Sequence, residues 1–229
     1  MENVSISKLV EFRRKTERSK RTFAEKLYQL EVAKKSEDSG GDYWVRSLSA
    51  INNAYLNNNN QFIQNKIEDI TDDLQKTTVN KTKTMYERNL QILHNFENID
   101  FKDLIPVPEF EFLEKQAKKA NFDVNEFPIK IRFNQLYSFN ENDTKFLGGI
   151  LFVAKLGGYT KAELGIFAEA FFRYLKQKYS NDYEISKNNV KVIDVFTMNE
   201  VTFYMLESGE VPKFLESTVE EIKNLKWDK

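Results

Sequence analysis

Asp194 stands inside Val190-Lys-Val-Ile-Asp-Val-Phe196, a run that reads as a buried strand. An ionised carboxyl among apolar neighbours is costly unless it is paired or hydrogen-bonded. Two arrangements would offset that cost. Asp194 could be a metal ligand or acid at a site, or it could close a strand end by bonding to neighbouring backbone. The single histidine, His94, lies one turn from Leu90 on a helical pattern and has no second histidine with which to build a metal site. The chain has no cysteine, which excludes thiolate nucleophiles, zinc–thiolate sites, iron–sulfur clusters and disulfides.

The glycine pairs Gly148-Gly149 and Gly157-Gly158 have neither dinucleotide-binding nor P-loop spacing, and no Lys-Ser or Lys-Thr follows them in register. The first pair reads as a bulge or close backbone approach within a strand. The second is a turn before a helix N-terminus, a place that favours anions. Between Lys8 and Lys26 there are eight basic residues (Lys8, Arg13, Arg14, Lys15, Arg18, Lys20, Arg21, Lys26) and three acidic ones, a local charge of +5 in a chain of net charge −1. Such a segment is either a contact surface for phosphates or an acidic partner, or a solvated helix face laced with opposite charges. Arg13, Arg14, Arg18 and Arg21 are its candidate contacts.

These residues need elements to position them. Leu9, Phe12, Phe23, Leu27 and Leu30 predict a first helix from about Ser7 to Lys34, broken by Ser36-Glu-Asp-Ser-Gly-Gly41. A second helix starts at the cap Asp42, a third carries Ile63, Ile67 and Ile70, and a fourth spans about Val79 to Asn98 and carries Glu87. Pro106 and Pro108 close this helical part. Beyond them, Phe110 and Phe112 alternate as in a strand, and Glu114 to Asn121 read as helix. Ile129 to Phe139 predict one strand run, Asn140-Glu-Asn-Asp143 a turn, and Phe146 to Leu156 a strand buried on both faces. Thr160-Lys-Ala-Glu163 is a capping box opening a helix whose Phe167, Phe171, Phe172 and Tyr174 are core. Strands over Val190–Phe196 and Val201–Leu206 and a last helix from Pro212 to Trp227 complete the chain.

The pattern is an α+β fold: an N-terminal helical bundle over residues 1–105, then a mixed β-sheet with a crossover helix over 106–229, the two packed together. Hydrophobic residues at 41% supply a core, and charged residues at 30% a solvated surface, so disorder is not expected. The N-terminus lacks the basic start and apolar run of a signal peptide, and no stretch approaches the roughly 20 apolar residues that span a bilayer. A cytoplasmic protein without membrane contact is expected.

Ser7-Lys-Leu-Val-Glu-Phe-Arg-Arg14, together with Ile129-Lys-Ile-Arg-Phe-Asn134, Gly149-Ile-Leu-Phe-Val-Ala-Lys155 and Val192-Ile-Asp-Val-Phe196, resembles an uncharacterised bacterial family in which a helical N-terminal half precedes a PD-(D/E)XK nuclease-like core. Active members of that fold hold Mg²⁺ or Mn²⁺ on a strand aspartate and a later acid-x-lysine, hard oxygen donors for a hard cation. Transferred to this chain, the aspartate position falls on Asn134, and the acid-x-lysine strand keeps only Lys155. The resemblance therefore implies a degenerate, non-catalytic domain without a cofactor. Such a domain would bind a protein partner, or nucleic acid through the basic N-terminal helix, in a bacterial phage-defence or toxin–antitoxin system. The alternative is a metal-dependent nuclease with a migrated site of Glu87, Asp194 and Lys155. A third reading is a small-molecule sensor that uses the apolar sheet and the glycine turn.

Overall fold

The computed structural model describes residues 3–29, 43–105, 107–114 and 120–227. The chain starts with strand β1 (Val4–Ser5) and helix α1 (Ile6–Arg13), followed by α2 (Glu17–Gln29). The single helix expected from Ser7 to Lys34 is thus two helices, broken at Arg14–Thr16; the part from Leu30 on, and the cap at Asp42, lie outside the described residues. The physical reason is the gap in the apolar pattern. No apolar residue occurs from Arg13 to Thr22, and on a straight helix Phe12 and Phe23 would stand ~16 Å apart along the axis. After the bend their ring centroids are 6.3 Å apart.

Three helices follow, α3 (Val45–Asn57), α4 (Gln61–Lys76) and α5 (Asn80–Phe96), and then a 3₁₀ turn at Phe101–Leu104. Their buried stripe of Ile51, Tyr55, Ile63, Ile70, Ile92 and Phe96 keeps helical spacing. After the short strand β2 (Glu111–Phe112), β3 (Ala120–Val124) and β4 (Phe127–Ile131) form a hairpin. Residues 120 and 121, expected in a helix, belong to β3; 115–119 lie outside the described residues. Strands β5 (Gln135–Glu141) and β6 (Thr144–Val153) form a second hairpin, with the expected turn at Asn142 and Asp143.

The Ile129–Phe139 run is therefore split between two sheets. Ile129 and Ile131 alternate with partly exposed residues, whereas Leu136 to Phe139 are all buried. That is the burial expected when β4 has one face in the core and β5 lies between two layers. Helix α6 (Lys161–Tyr179) then carries the chain to β7 (Glu184–Asp194), β8 (Glu200–Thr202), α7 (Phe203–Glu207) and α8 (Leu215–Trp227). The strand expected to continue to Leu206 gives way to helix after Thr202, because Phe203 and Leu206 are buried at helical spacing.

The larger sheet has the order β2-β5-β6-β7-β8, and the smaller β1-β4-β3. Strands β6 and β7 are parallel and joined through α6; the other neighbours in the larger sheet are antiparallel. This is the expected α+β class, with N-terminal helices preceding a mixed sheet and a crossover helix. Each face of the sheet carries its own core. Leu147, Leu151, Val153, Val190 and Val192 face a layer that includes α1, α2, α6 and α8. Ile150, Phe152, Ile193 and Val195 face α3–α5. The ladder shifts register between Leu147 and Gly149, a bulge at the first glycine pair. A Cβ on Gly149 would come within 2.6 Å of the Phe171 ring, so this strand position admits α6 only without a side chain.

Candidate functional site

Strands β6 and β7 run parallel, and their C-terminal ends meet the N-terminus of α6. In open α/β sheets this crevice is where ligands bind. Here a side chain of the protein fills it. Asp194, at the end of β7, is fully buried. Its Oδ2 accepts from the backbone N–H of Tyr159 and from the Thr197 hydroxyl (3.0 Å), and its Oδ1 accepts from the Phe196 N–H (2.9 Å). Three donors offset the desolvation of the carboxylate. Two of them are backbone groups of its own turn and of the residue just before the α6 cap, where the helix dipole favours negative charge. Gly158 makes the approach possible. Its φ is +76°, and a Cβ there would lie 2.2 Å from Thr197 Cγ2 and 2.7 Å from Asp194 Oδ2. Of the two arrangements open to Asp194, the geometry is that of a strand-end acid bonded to backbone.

Asn134, which stands where the nuclease pattern has an aspartate, leads into β5. Its N–H donates to the Ile150 carbonyl (3.2 Å), and its side-chain oxygen accepts from the Phe152 N–H (2.7 Å). The amide thus extends the β5–β6 ladder by one rung. Lys155 lies two residues beyond β6, with its ammonium 5.7 Å from the Tyr159 ring. Lys155 and Asp194 therefore sit on the two sides of one turn, joined through Tyr159. Glu87 is exposed on α5, in the layer on the other face of the sheet. Among the described residues no three of His, Asp and Glu cluster in the manner of a metal site. His94 is exposed on α5, 3.0 Å from Glu97.

The basic N-terminal segment is largely engaged within the fold. The Arg13 guanidinium lies 3.9 Å over the Phe214 ring and donates to Thr218 on α8 (3.2 Å). Arg14 grips Glu163 with Nε and Nη2, the latter at 2.6 Å. Glu163 is the N3 residue of the α6 capping box, so one carboxylate holds both the helix N-terminus and α1. Burial pushes the Glu163 carboxyl up, but its bonds to Arg14 and Thr160 outweigh this and hold it below its ordinary value; the same contact raises Arg14. Lys20 bridges Glu17 (2.7 Å) and Glu221 of α8 (2.6 Å). Arg18, Arg21 and Lys26 remain exposed along α2, with Arg21 3.9 Å from Glu25.

A cleft of about 350 Å³ opens between α1 and the β6–α6 turn, with Val10 and Tyr159 among the residues lining it. Arg14, Lys15 and Lys155 also line it, together with Ser7 and Glu11. Tyr159 is buried, which pushes its phenol up to about 12, and it is hydrogen-bonded to Ser7. Sequence reasoning reached Arg14, Lys155 and the glycine turn, and counted Lys15 in the basic segment, but it gave no role to Ser7, Val10 or Tyr159. No periodicity links residues 7–15 to residues 155–159, and the turn before α6 was the only signal pointing to the place.

No protein-family model, no curated protein and no solved structure matches this chain. Among the described residues no helix is long and apolar enough to cross a membrane.

Proposed function

We propose that this protein is a non-catalytic binding protein, a degenerate nuclease-like core with a helical layer, which docks on the acidic surface of a partner protein through α2. The bacterial defence or toxin–antitoxin setting implied by the sequence resemblance is the context we assign to it. The observation that carries the reading is how the charges are already engaged. Asp194 is held by three internal donors, Asn134 supports a strand, and Arg13, Arg14 and Lys20 tie helices together. On α2 itself the cations that face solvent are Arg18, Lys26 and Arg21, the last lying 3.9 Å from Glu25.

Magnitude favours protein over nucleic acid as the partner. Proteins that bind DNA through its backbone neutralise roughly 6–10 phosphates, and their affinity falls steeply with salt. Three cations on one helix are too few for that, but they suffice for the charged rim of a protein interface, where complementarity sets specificity and association rate.

The test is affinity capture from host cells with the wild-type chain and with R18E/R21E/K26E, at low and physiological salt. The expected result is a discrete protein partner that is lost in the triple variant. Equal capture by the variant removes α2 from the interface. Incubating the purified protein with plasmid and RNA in Mg²⁺ or Mn²⁺ is expected to leave both intact; cleavage that disappears in Asp194→Ala would establish the nuclease alternative instead.

A further inference from the structure

We infer that the cleft between α1 and the β6–α6 turn is a binding site for a small monocarboxylate with a compact apolar body. The cleft does not use the exposed α2 cations, so this site and the partner surface stand or fall separately.

The size is right for a small ligand: about 350 Å³ lies at the low end of the roughly 300–1,000 Å³ of small-molecule pockets. The surroundings define its polarity. Val10 is 2% exposed and Tyr159 9%, so both are held by the core and present only an apolar edge to the cleft. Two cations stand near the Tyr159 ring, Arg14 at 5.8 Å and Lys155 at 5.7 Å from its centroid.

The charge count selects a monoanion. Arg14, Lys15 and Lys155 contribute three positive charges. Lys8, just outside the lining, adds a fourth, since Glu11 pairs with it (3.1 Å) as well as with Lys15 (3.2 Å); Glu11, Glu163, bound to Arg14, and Asp194, which accepts from the Tyr159 N–H, offset three. One positive charge is left, and it belongs to Lys155, whose ammonium meets only the Tyr159 ring and no carboxylate among the described residues. Arg14 directs Nε and one Nη2 proton to Glu163, which leaves the donors of Nη1 for a ligand oxygen. The Ser7 hydroxyl, at the start of α1, lines the cleft as well. A carboxylate would be received by Lys155 and Arg14 while its hydrocarbon part covers Val10 and the edge of Tyr159. A dianion would exceed the available charge, and a neutral ligand would leave Lys155 partly desolvated without a partner.

Titration calorimetry with benzoate as the probe, and with its neutral isostere benzamide and inorganic phosphate as comparators, tests the assignment. Benzoate is expected to bind and the two comparators to bind at least tenfold more weakly. Lys155→Gln should weaken benzoate roughly tenfold, the loss of one charge-assisted hydrogen bond. Glu11→Gln should tighten it several-fold, a gain that misfolding cannot produce. The absence of benzoate binding, equal binding of benzamide, an unchanged affinity in Lys155→Gln or a weakened one in Glu11→Gln would each overturn the proposal. Phosphate binding more tightly than benzoate would overturn the monocarboxylate class.

Discussion

At the scale of single residues, Asp194 and Gly158 form one unit. The carboxylate supplies acceptors for the Tyr159 and Phe196 N–H groups, and the missing Cβ of Gly158 lets the turn close on it. Asp194→Asn removes one acceptor oxygen and presents a donor to a buried donor. It is expected to cost about 2–3 kcal/mol, read as a lowered urea midpoint at unchanged slope. Gly158→Ala and Gly157→Ala separate conformation from contact. Both positions have positive φ, +76° and +74°, but a Cβ on Gly157 meets nothing within 4 Å, whereas one on Gly158 meets Thr197 and Asp194. Gly157→Ala is expected to cost only the left-handed penalty of about 1 kcal/mol, and Gly158→Ala at least about 3 kcal/mol once the clash is added. In thermal melts of a chain this size, that is a difference of roughly 4–8 °C.

At the scale of elements, the Arg14–Glu163 pair fastens α1 to the start of α6. The Arg14 side chain is 34% exposed and that of Glu163 14%, so solvent screens the pair only in part. A double-mutant cycle with Arg14→Ala and Glu163→Gln is expected to return a coupling of about 1 kcal/mol. Its pH dependence has a definite sign. The folded-state pKa of Glu163 lies below its ordinary value of 4.5, so its contribution to stability is complete above that value and is lost as pH falls through the lower, folded one. The stability gap between wild type and Arg14→Ala should therefore narrow on acidification from about pH 6 to pH 3; a gap that is flat or widens would show that the pair does not act through charge.

At the scale of the whole molecule, the larger sheet is shared by two cores, one on each face. The N-terminal helices belong to both: α1 and α2 pack on the α6 side, and α3–α5 on the other. The bundle is thus divided by the sheet instead of lying apart from it. Phe12, fully buried on the α6 side, and Trp44, packed at 6.2 Å against Phe196 on the opposite side, report on the two cores. Phe12→Ala is expected to cost about 3–5 kcal/mol. In a Trp227→Phe background, Trp44 fluorescence should then move to the same lower midpoint as far-UV circular dichroism, because both layers unfold with the sheet they share. Two separate transitions would show independent cores.

Sequence alone determined the α+β class, the capping box of Thr160 and Glu163 and the Asn142–Asp143 turn. Each of these is local: a cap, a turn or a period is decided by residues within a few positions of one another. It also placed Asp194 in a strand with two possible roles, and the strand-end role is the one whose donors lie mostly nearby. Tertiary structure decided the rest. The break after Arg13, the division of Ile129–Phe139 between two sheets and the helix after Thr202 depend on what packs against each segment. The grip of Arg14 on Glu163 spans 149 positions, and the cleft joins residues 7–15 to residues 155–159. No local pattern encodes such meetings, because the free energy that selects them comes from burying one face of each element against a partner that is distant along the chain.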